Sequence, residues 1–190
     1  MSNSRTTGRL QLILIGLVFV GPLIVSFIVY FGGVWKPENR SINGVLLDTP
    51  ALLPDEPFSE AISTSSFRNK WTLIHIVQDA CDESCRESLY ATRQVRRALD
   101  RDKDRVQRVL CNMGSAVDRN FLQQEHPGLY IVNDEFPACS VFLEMAAETS
   151  TDDVFLADPL GNLIIRFPRD TGMRGIHRDL KKLLRVSRIG

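Results

Sequence analysis

Apolar residues form one unbroken run near the N-terminus and recur with strand and helix periodicities after residue 66. Between Arg9 and Lys36 no side chain is charged, and residues 10–35 read LQLILIGLVFVGPLIVSFIVYFGGVW. Gln11 and Ser26 are the only clearly hydrophilic members of that run. About 20 apolar residues in a helix cross a hydrocarbon core of roughly 30 Å, so the run predicts a transmembrane helix. Gly16, Gly21 and Pro22 would weaken a soluble helix but are tolerated in membrane helices. A cleaved signal peptide would need an apolar stretch of about 7–15 residues and a small-residue cleavage site, and the run offers neither.

Residues 36–66 contain Pro37, Pro50, Pro54 and Pro57 with few periodic apolar positions. They read as an extended connector, in which residues 45–47 could pair as a short strand. From Phe67 the pattern becomes regular. WTLIHIV at 71–77 is a short, β-rich apolar run and predicts a buried strand. Residues 81–99 follow helical spacing, with Cys81, Cys85, Leu89, Thr92, Val95 and Leu99 on one stripe. Asp79, Asp82 and Glu83 sit where the positive end of that helix dipole falls. Residues 105–113 predict a second strand and 117–124 a short helix, stopped by Pro127 and Gly128. Two further strands, 154–157 and 163–167, flank Asp158-Pro159-Leu160-Gly161-Asn162, whose Pro and Gly signal a hairpin. Residues 175–186 form an amphipathic helix with Ile176, Leu180, Leu183 and Leu184 inward and Arg178, Lys181, Lys182 and Arg185 outward. This order of elements is that of an α/β thioredoxin-like sandwich. The expected organisation is therefore a cytoplasmic tail at 1–9, a transmembrane helix at 10–35, a connector at 36–66 and a thioredoxin-like domain at 67–190.

Charge sets the orientation. The leading segment holds Arg5 and Arg9 and no acid, so it should stay in the cytoplasm and leave the domain outside. In a bacterium that means a single-pass inner-membrane protein with its C-terminal domain in the periplasm. Lys plus Arg and Asp plus Glu both number 23, and the balance argues against a nucleic-acid binder. The four cysteines all follow the anchor. An oxidising compartment permits disulfides, although a domain of this size can fold without them.

Candidate chemistry centres on Cys81-Asp82-Glu83-Ser84-Cys85, where a buried strand turns into a helix. Backbone N–H groups and the helix dipole at such a junction stabilise a thiolate, which is both nucleophile and metal ligand. Arg86 would lower the thiol pKa further, whereas Asp82 and Glu83 would raise it. The spacing puts both sulfurs on one helical face, a geometry that can hold Cu(I) between two thiolates. It can also close to a disulfide if Cys81 lies in the loop before the helix. A third reading makes both cysteines small buried hydrophobes. Cys111 in the second strand and Cys139 after Pro137 could supply a third ligand or a resolving thiol, or could bridge each other. His75, His126 and His177 have no metal-ligand spacing and read as structural or surface residues, with His75 alone near the pair.

The anchor, the run WTLIHIVQDACDESC and the later FLADPLGNLIIRF together resemble the Sco/SenC family over roughly residues 67–186. That resemblance implies a membrane-tethered thioredoxin fold that helps load copper into cytochrome c oxidase. Its partners would be an oxidase subunit or a copper chaperone, and Cys81 and Cys85 would take the place of the family's C-x3-C pair. The chain departs from the family pattern at two places: residues 148–153 lack the histidine that completes the family's copper site, and Arg86 stands where the family has a proline after its second cysteine. It also lacks the proline that a generic thioredoxin carries before the Val154 strand. Cys81 and Cys85 are thus expected to act by thiol–disulfide exchange, as in a thiol–disulfide oxidoreductase, or by brief Cu(I) holding, with Cys81 as nucleophile and Cys85 as resolving thiol. The alternative is a redox-inert thioredoxin-like domain that binds a membrane partner. A peroxide-reducing enzyme fits less well, since no Thr or Pro precedes Cys81 in the required pattern.

Overall fold

The computed structural model describes residues 3–32, 42–58, 66–78, 80–113, 118–133, 139, 141 and 153–189. They fall into two compact units, 1–41 and 42–190. In the first, helix α1 covers Asn3–Phe31 with Pro22 inside it, so it begins earlier than the expected transmembrane run. Among the described residues no helix is long and apolar enough to cross a membrane. The feature that points to a membrane is the uncharged run at 10–35.

The second unit is built on a six-stranded sheet. Its strands are β1 (Val45–Leu52), β2 (Trp71–Val77), β3 (Val106–Asn112), β4 (Leu129–Asn133), β5 (Val154–Ala157) and β6 (Asn162–Phe167), in the order β1-β6-β5-β2-β3-β4. β2 runs parallel to β3 and antiparallel to β5, and every β2 residue is buried, as its continuous apolar sequence requires. The β5–β6 hairpin closes through Asp158, whose carboxylate accepts the Leu160 and Asn162 N–H groups at 2.9 and 2.8 Å. Gly161 takes φ 84°, a conformation that side chains disfavour.

Among the described residues, helices α2 (Glu83–Ala98), α3 (Arg119–Glu125) and α4 (Gly172–Val186) pack with the sheet. On one sheet face, Val95 and Leu99 of α2 and Ile176, Leu180 and Leu184 of α4 pack on Leu73, Val106, Leu156 and Phe167. Towards the β4 edge of the same face, Cys85 and Leu89 of α2 meet Leu122 of α3 over Val77 and Leu110. The opposite face is covered by Leu53, Phe58 and Phe67, with Cys111 and Cys139 beneath them.

Two differences from the expected pattern stand out. The stretch expected to be a connector is partly domain: β1 pairs with β6, and Leu53 and Phe58 are buried on the sheet. β4 was not anticipated, because its five residues follow a Pro-Gly break and carry too short a pattern to register. The chain enters the domain through a buried clamp. The Asp179 carboxylate of α4, 1% exposed, accepts Asn43 N–H at 2.7 Å, Asn43 Nδ2 at 2.6 Å and Gly44 N–H at 2.9 Å.

A buried polar contact also joins α2 to β2. His75 Nε2 lies 2.8 Å from Thr92 Oγ1, and Nδ1 lies 3.4 Å from Ser88 Oγ. Burial, followed by the positive charge of Arg108 and then His126, lowers the His75 pKa from 6.5 to about 3. His126 is lowered to about 4 by burial, then by Arg108 and Arg93, with Glu125 acting in the opposite direction.

Two outcomes follow from these contacts. Asp179→Ala strands buried donors and should cost roughly 3 kcal/mol, lowering Tm by about 6–12 °C; a drop under about 1 °C in thermal unfolding contradicts the clamp. For His75 the unfolded ring protonates below about 6.5 but the folded ring only near 3. Its contribution is complete above pH 6.5 and is lost as pH falls toward 3, by about 1.4 kcal/mol per unit. Urea unfolding at pH 7 and pH 5 should show a shallower pH slope for His75→Gln, and an unchanged slope contradicts the assignment.

Candidate functional site: a strand-to-helix cysteine pair

β2 ends at Val77 and α2 begins at Glu83, so the turn between them must satisfy the helix's first N–H groups. Asp82 does this as the N-cap: its backbone is extended and its side-chain oxygen accepts Cys85 N–H at 3.0 Å. Cys81 therefore stands just outside the helix and Cys85 in its first turn, rather than both on a helix beginning at residue 81. The two form a disulfide with Cα atoms 5.1 Å apart, within the usual range for such bridges. Cys85 is 9% exposed and packs with Leu89 and Leu122, while Cys81 is half-buried at the margin of the same cluster. Of the two residues, Cys81 is the more exposed.

The surroundings qualify the expected charge effects. The Arg86 guanidinium lies over the Phe121 ring, 5.1 Å from its centre, so a cation–π contact engages it. Asp82 serves the helix cap. A surface groove runs along α2 beside the pair, lined by Glu83, Arg86, Tyr90, Phe121 and His126. Ser84 Oγ is buried beside Cys85 with no hydrogen-bond partner among the described residues.

The structure brings together Cys81 with Cys85, and Cys111 with Cys139 as a second disulfide whose Cα atoms are 5.8 Å apart. Cys111 and Cys139 are fully buried in the cluster on the opposite sheet face. They are thus bonded to each other and do not supply a third ligand or a resolving thiol to Cys81 and Cys85. His75 lies in β2 ahead of the pair, but both ring nitrogens face α2 hydroxyls and burial keeps the ring neutral. His177 is on α4, its Nε2 3.4 Å from the Ala98 carbonyl oxygen. Residues 148–152, which carry no histidine, lie outside the described residues. Among the described residues no group of three or more His, Cys, Asp or Glu side chains could hold a metal ion. What this site offers copper is two thiolates once the disulfide is reduced, a donor set that suits Cu(I) as cargo and not Cu(II).

Three residues near the site escaped the sequence reading. Phe121 looked like an ordinary helix residue, yet it packs against the same cluster as Cys81 and its ring lies under the Arg86 guanidinium. Asp153 occupies the position before β5 where a thioredoxin would carry proline; it is 5% exposed and lies 3.4 Å from Arg166 Nη1. Among the described residues no peptide bond is cis. Arg108 is 1% exposed in β3, donates to the Pro127 carbonyl oxygen at 3.2 Å, and has its pKa lowered to about 10 by burial and then by Arg96, Arg93 and Arg97. The available signal was a lone cation in the middle of an apolar strand.

Comparison with known proteins places this geometry. Residues 71–187 match the family described as "Transmembrane-like, thioredoxin-like, C-terminal domain", and residues 2–33 match "Transmembrane-like, N-terminal domain". No curated protein matches the chain. Among solved structures, yeast Sco1 is similar with a TM-score of 0.55 at 15% identity, covering 74% of this chain and 96% of that one. Copper-bound yeast Sco1 gives 0.53 at 14% identity over 74% of this chain and 94% of that one. The thioredoxin domain of a thiol-disulfide oxidoreductase from Bacteroides vulgatus gives 0.51 at 15% identity, with 72% and 98% covered. At such identities the likeness is one of fold, and it bears out the resemblance to a Sco/SenC-like thioredoxin fold. The chain belongs to the family of transmembrane-like proteins with a thioredoxin-like C-terminal domain.

Proposed function

We propose that this protein is a membrane-anchored, thioredoxin-like accessory factor for cytochrome c oxidase assembly that works by thiol–disulfide exchange at Cys81 and Cys85. One observation carries the chemistry: a disulfide at the N-terminus of α2 whose outer sulfur, Cys81, is the more accessible. The oxidase setting comes from the Sco/SenC resemblance, and the membrane setting from the uncharged run at 10–35 and the transmembrane-like N-terminal match. The domain would sit in the periplasm of a bacterium, with the N-terminus in the cytoplasm.

Exchange proceeds by two successive displacements at sulfur. A thiolate of a partner dithiol attacks Cys81 Sγ, the Cys81–Cys85 bond breaks, and Cys85 leaves as the thiolate near the positive end of α2. The partner's second thiolate then attacks its own sulfur in the mixed disulfide and releases Cys81. The partner loses two electrons and the pair gains them; the reverse sequence reduces a partner disulfide, with Cys81 as attacking thiolate. In its reduced form the pair could also hold Cu(I) as cargo from an oxidase subunit or copper chaperone.

A specific observation favours a second reading, a redox-inert interaction domain on the same scaffold. Cys85 is 9% exposed, and the residue before β5 is an ion-paired Asp153 rather than a substrate-docking proline.

Trapping separates the two readings. Cys85→Ser leaves Cys81 able to attack but unable to resolve, so this variant should accumulate a mixed disulfide with a membrane protein on non-reducing gels. Cys81→Ser should not, and it should fail to restore oxidase assembly in a deletion strain; full restoration refutes exchange. For the cargo role, reduced anaerobic protein should bind about one Cu(I) per chain, and Cys85→Ser should lose it. Equal binding by that variant removes the pair from the copper site.

A further inference from the structure

The chain as a whole is balanced in charge, but α4 is not. Arg174, His177, Arg178, Lys181, Lys182 and Arg185 line one shallow patch on its outer side. Its one acid, Asp179, points the other way, where it is 1% exposed and clamps Asn43 and Gly44. The inner stripe, Ile176, Leu180 and Leu184, is buried on the sheet. Val186 and Ile189, which follow Arg185 in the sequence, are 81% and 53% exposed. Cations beside solvent-facing apolar side chains are the pattern of helices that lie on anionic lipid surfaces.

Chain connectivity adds to this. The domain is entered at Asn43 and Gly44, the two residues fastened to α4 itself. Nine residues, 33–41, separate Gly32 from Ile42. At about 3.6 Å per residue an extended chain of that length reaches roughly 35 Å. A tether this short keeps α4 at high effective concentration near the surface holding the N-terminal run. We infer that the basic face of α4 docks on the anionic phospholipid headgroups of that membrane, resting on the reading that residues 10–35 are anchored in it.

An acidic protein would be the other occupant of such a patch. The lipid surface is favoured because the cations are spread along one helix face, because apolar side chains flank them, and because the tether supplies the surface at all times. α2 and α4 lie in one layer, so docking would fix how Cys81 is presented to a membrane-embedded partner.

Lysine acylation reads this contact directly. The full chain is reconstituted in nanodiscs of phosphatidylcholine alone or with about 30% phosphatidylglycerol, and labelling is followed by mass spectrometry, with exposed Lys70 and Lys103 as internal controls. Lys181 and Lys182 should label roughly 3-fold more slowly in the anionic discs, and about 0.5 M salt should relieve the effect. The double variant Arg178→Glu, Arg185→Glu should abolish the slowing at Lys181. Equal labelling in the two lipids, or slowing that persists in the double variant, overturns the docking while leaving the anchor intact. A chain recovered outside the discs overturns the anchor and the docking together.

Discussion

The junction between β2 and α2 is the constraint on which the rest of the site depends. β2 is buried on both faces and paired on both edges, so it cannot shift without breaking the sheet. α2 must start within a few residues of its end, and the Asp82 side chain that accepts Cys85 N–H sets where. That one hydrogen bond leaves Cys81 outside the helix and Cys85 inside it, and so permits a bridge between residues four apart. It also leaves Cys81 the more exposed residue of the two, the asymmetry on which their proposed roles rest. The buried His75–Thr92 contact holds the next turns of α2 to the same strand, so the junction is fixed from both sides.

Around this junction the two sheet faces are used differently. The helices lie on one face, with Cys81 and Cys85 at the margin of their layer. The other face carries Leu53, Phe58, Phe67 and the buried Cys111–Cys139 bridge. The sheet therefore keeps two disulfides of different character apart, one open at its outer sulfur and one closed. Burial of large apolar side chains, each contributing about 1.5–3 kcal/mol, is what recruits residues 51–58 to the sheet rather than leaving them as a spacer.

Much of this was legible in the sequence because period and composition agreed. WTLIHIV read as a buried strand, residues 81–99 showed a single apolar stripe of which 83–98 is helix, and the Asp-Pro-Leu-Gly-Asn turn carried its own hairpin signal. What failed were features that depend on distant partners. Only residues 45–47 of β1 suggested a strand, and pairing with β6 on both sides of a register shift extends it to Leu52 across Asp48 and Pro50. β4 is too short to show a period. Arg108 shows locally only as a lone cation in an apolar strand, and the partners that meet it and Asp153 in their buried positions, Pro127 and Arg166, are distant in sequence. At the site the cysteine spacing was visible, but the pairing of Cys111 with Cys139 required knowing that they share a sheet face. The basic side of α4 was legible at Arg178, Lys181, Lys182 and Arg185 despite the neutrality of the whole chain, and the structure adds Arg174 and His177 to the same patch.

Function then turns on whether the outer disulfide is a working redox pair or a fixed staple. A redox titration of the full chain in glutathione and dithiothreitol buffers tests this most directly, with each cysteine's state read by differential alkylation and mass spectrometry. Exposure of Cys81 and burial of the other bridge lead to the expectation that Cys81–Cys85 opens first, under native conditions, while Cys111–Cys139 stays closed. If Cys81–Cys85 resists reduction until the domain unfolds, or opens only together with Cys111–Cys139, the account of this site as an exchange centre is wrong.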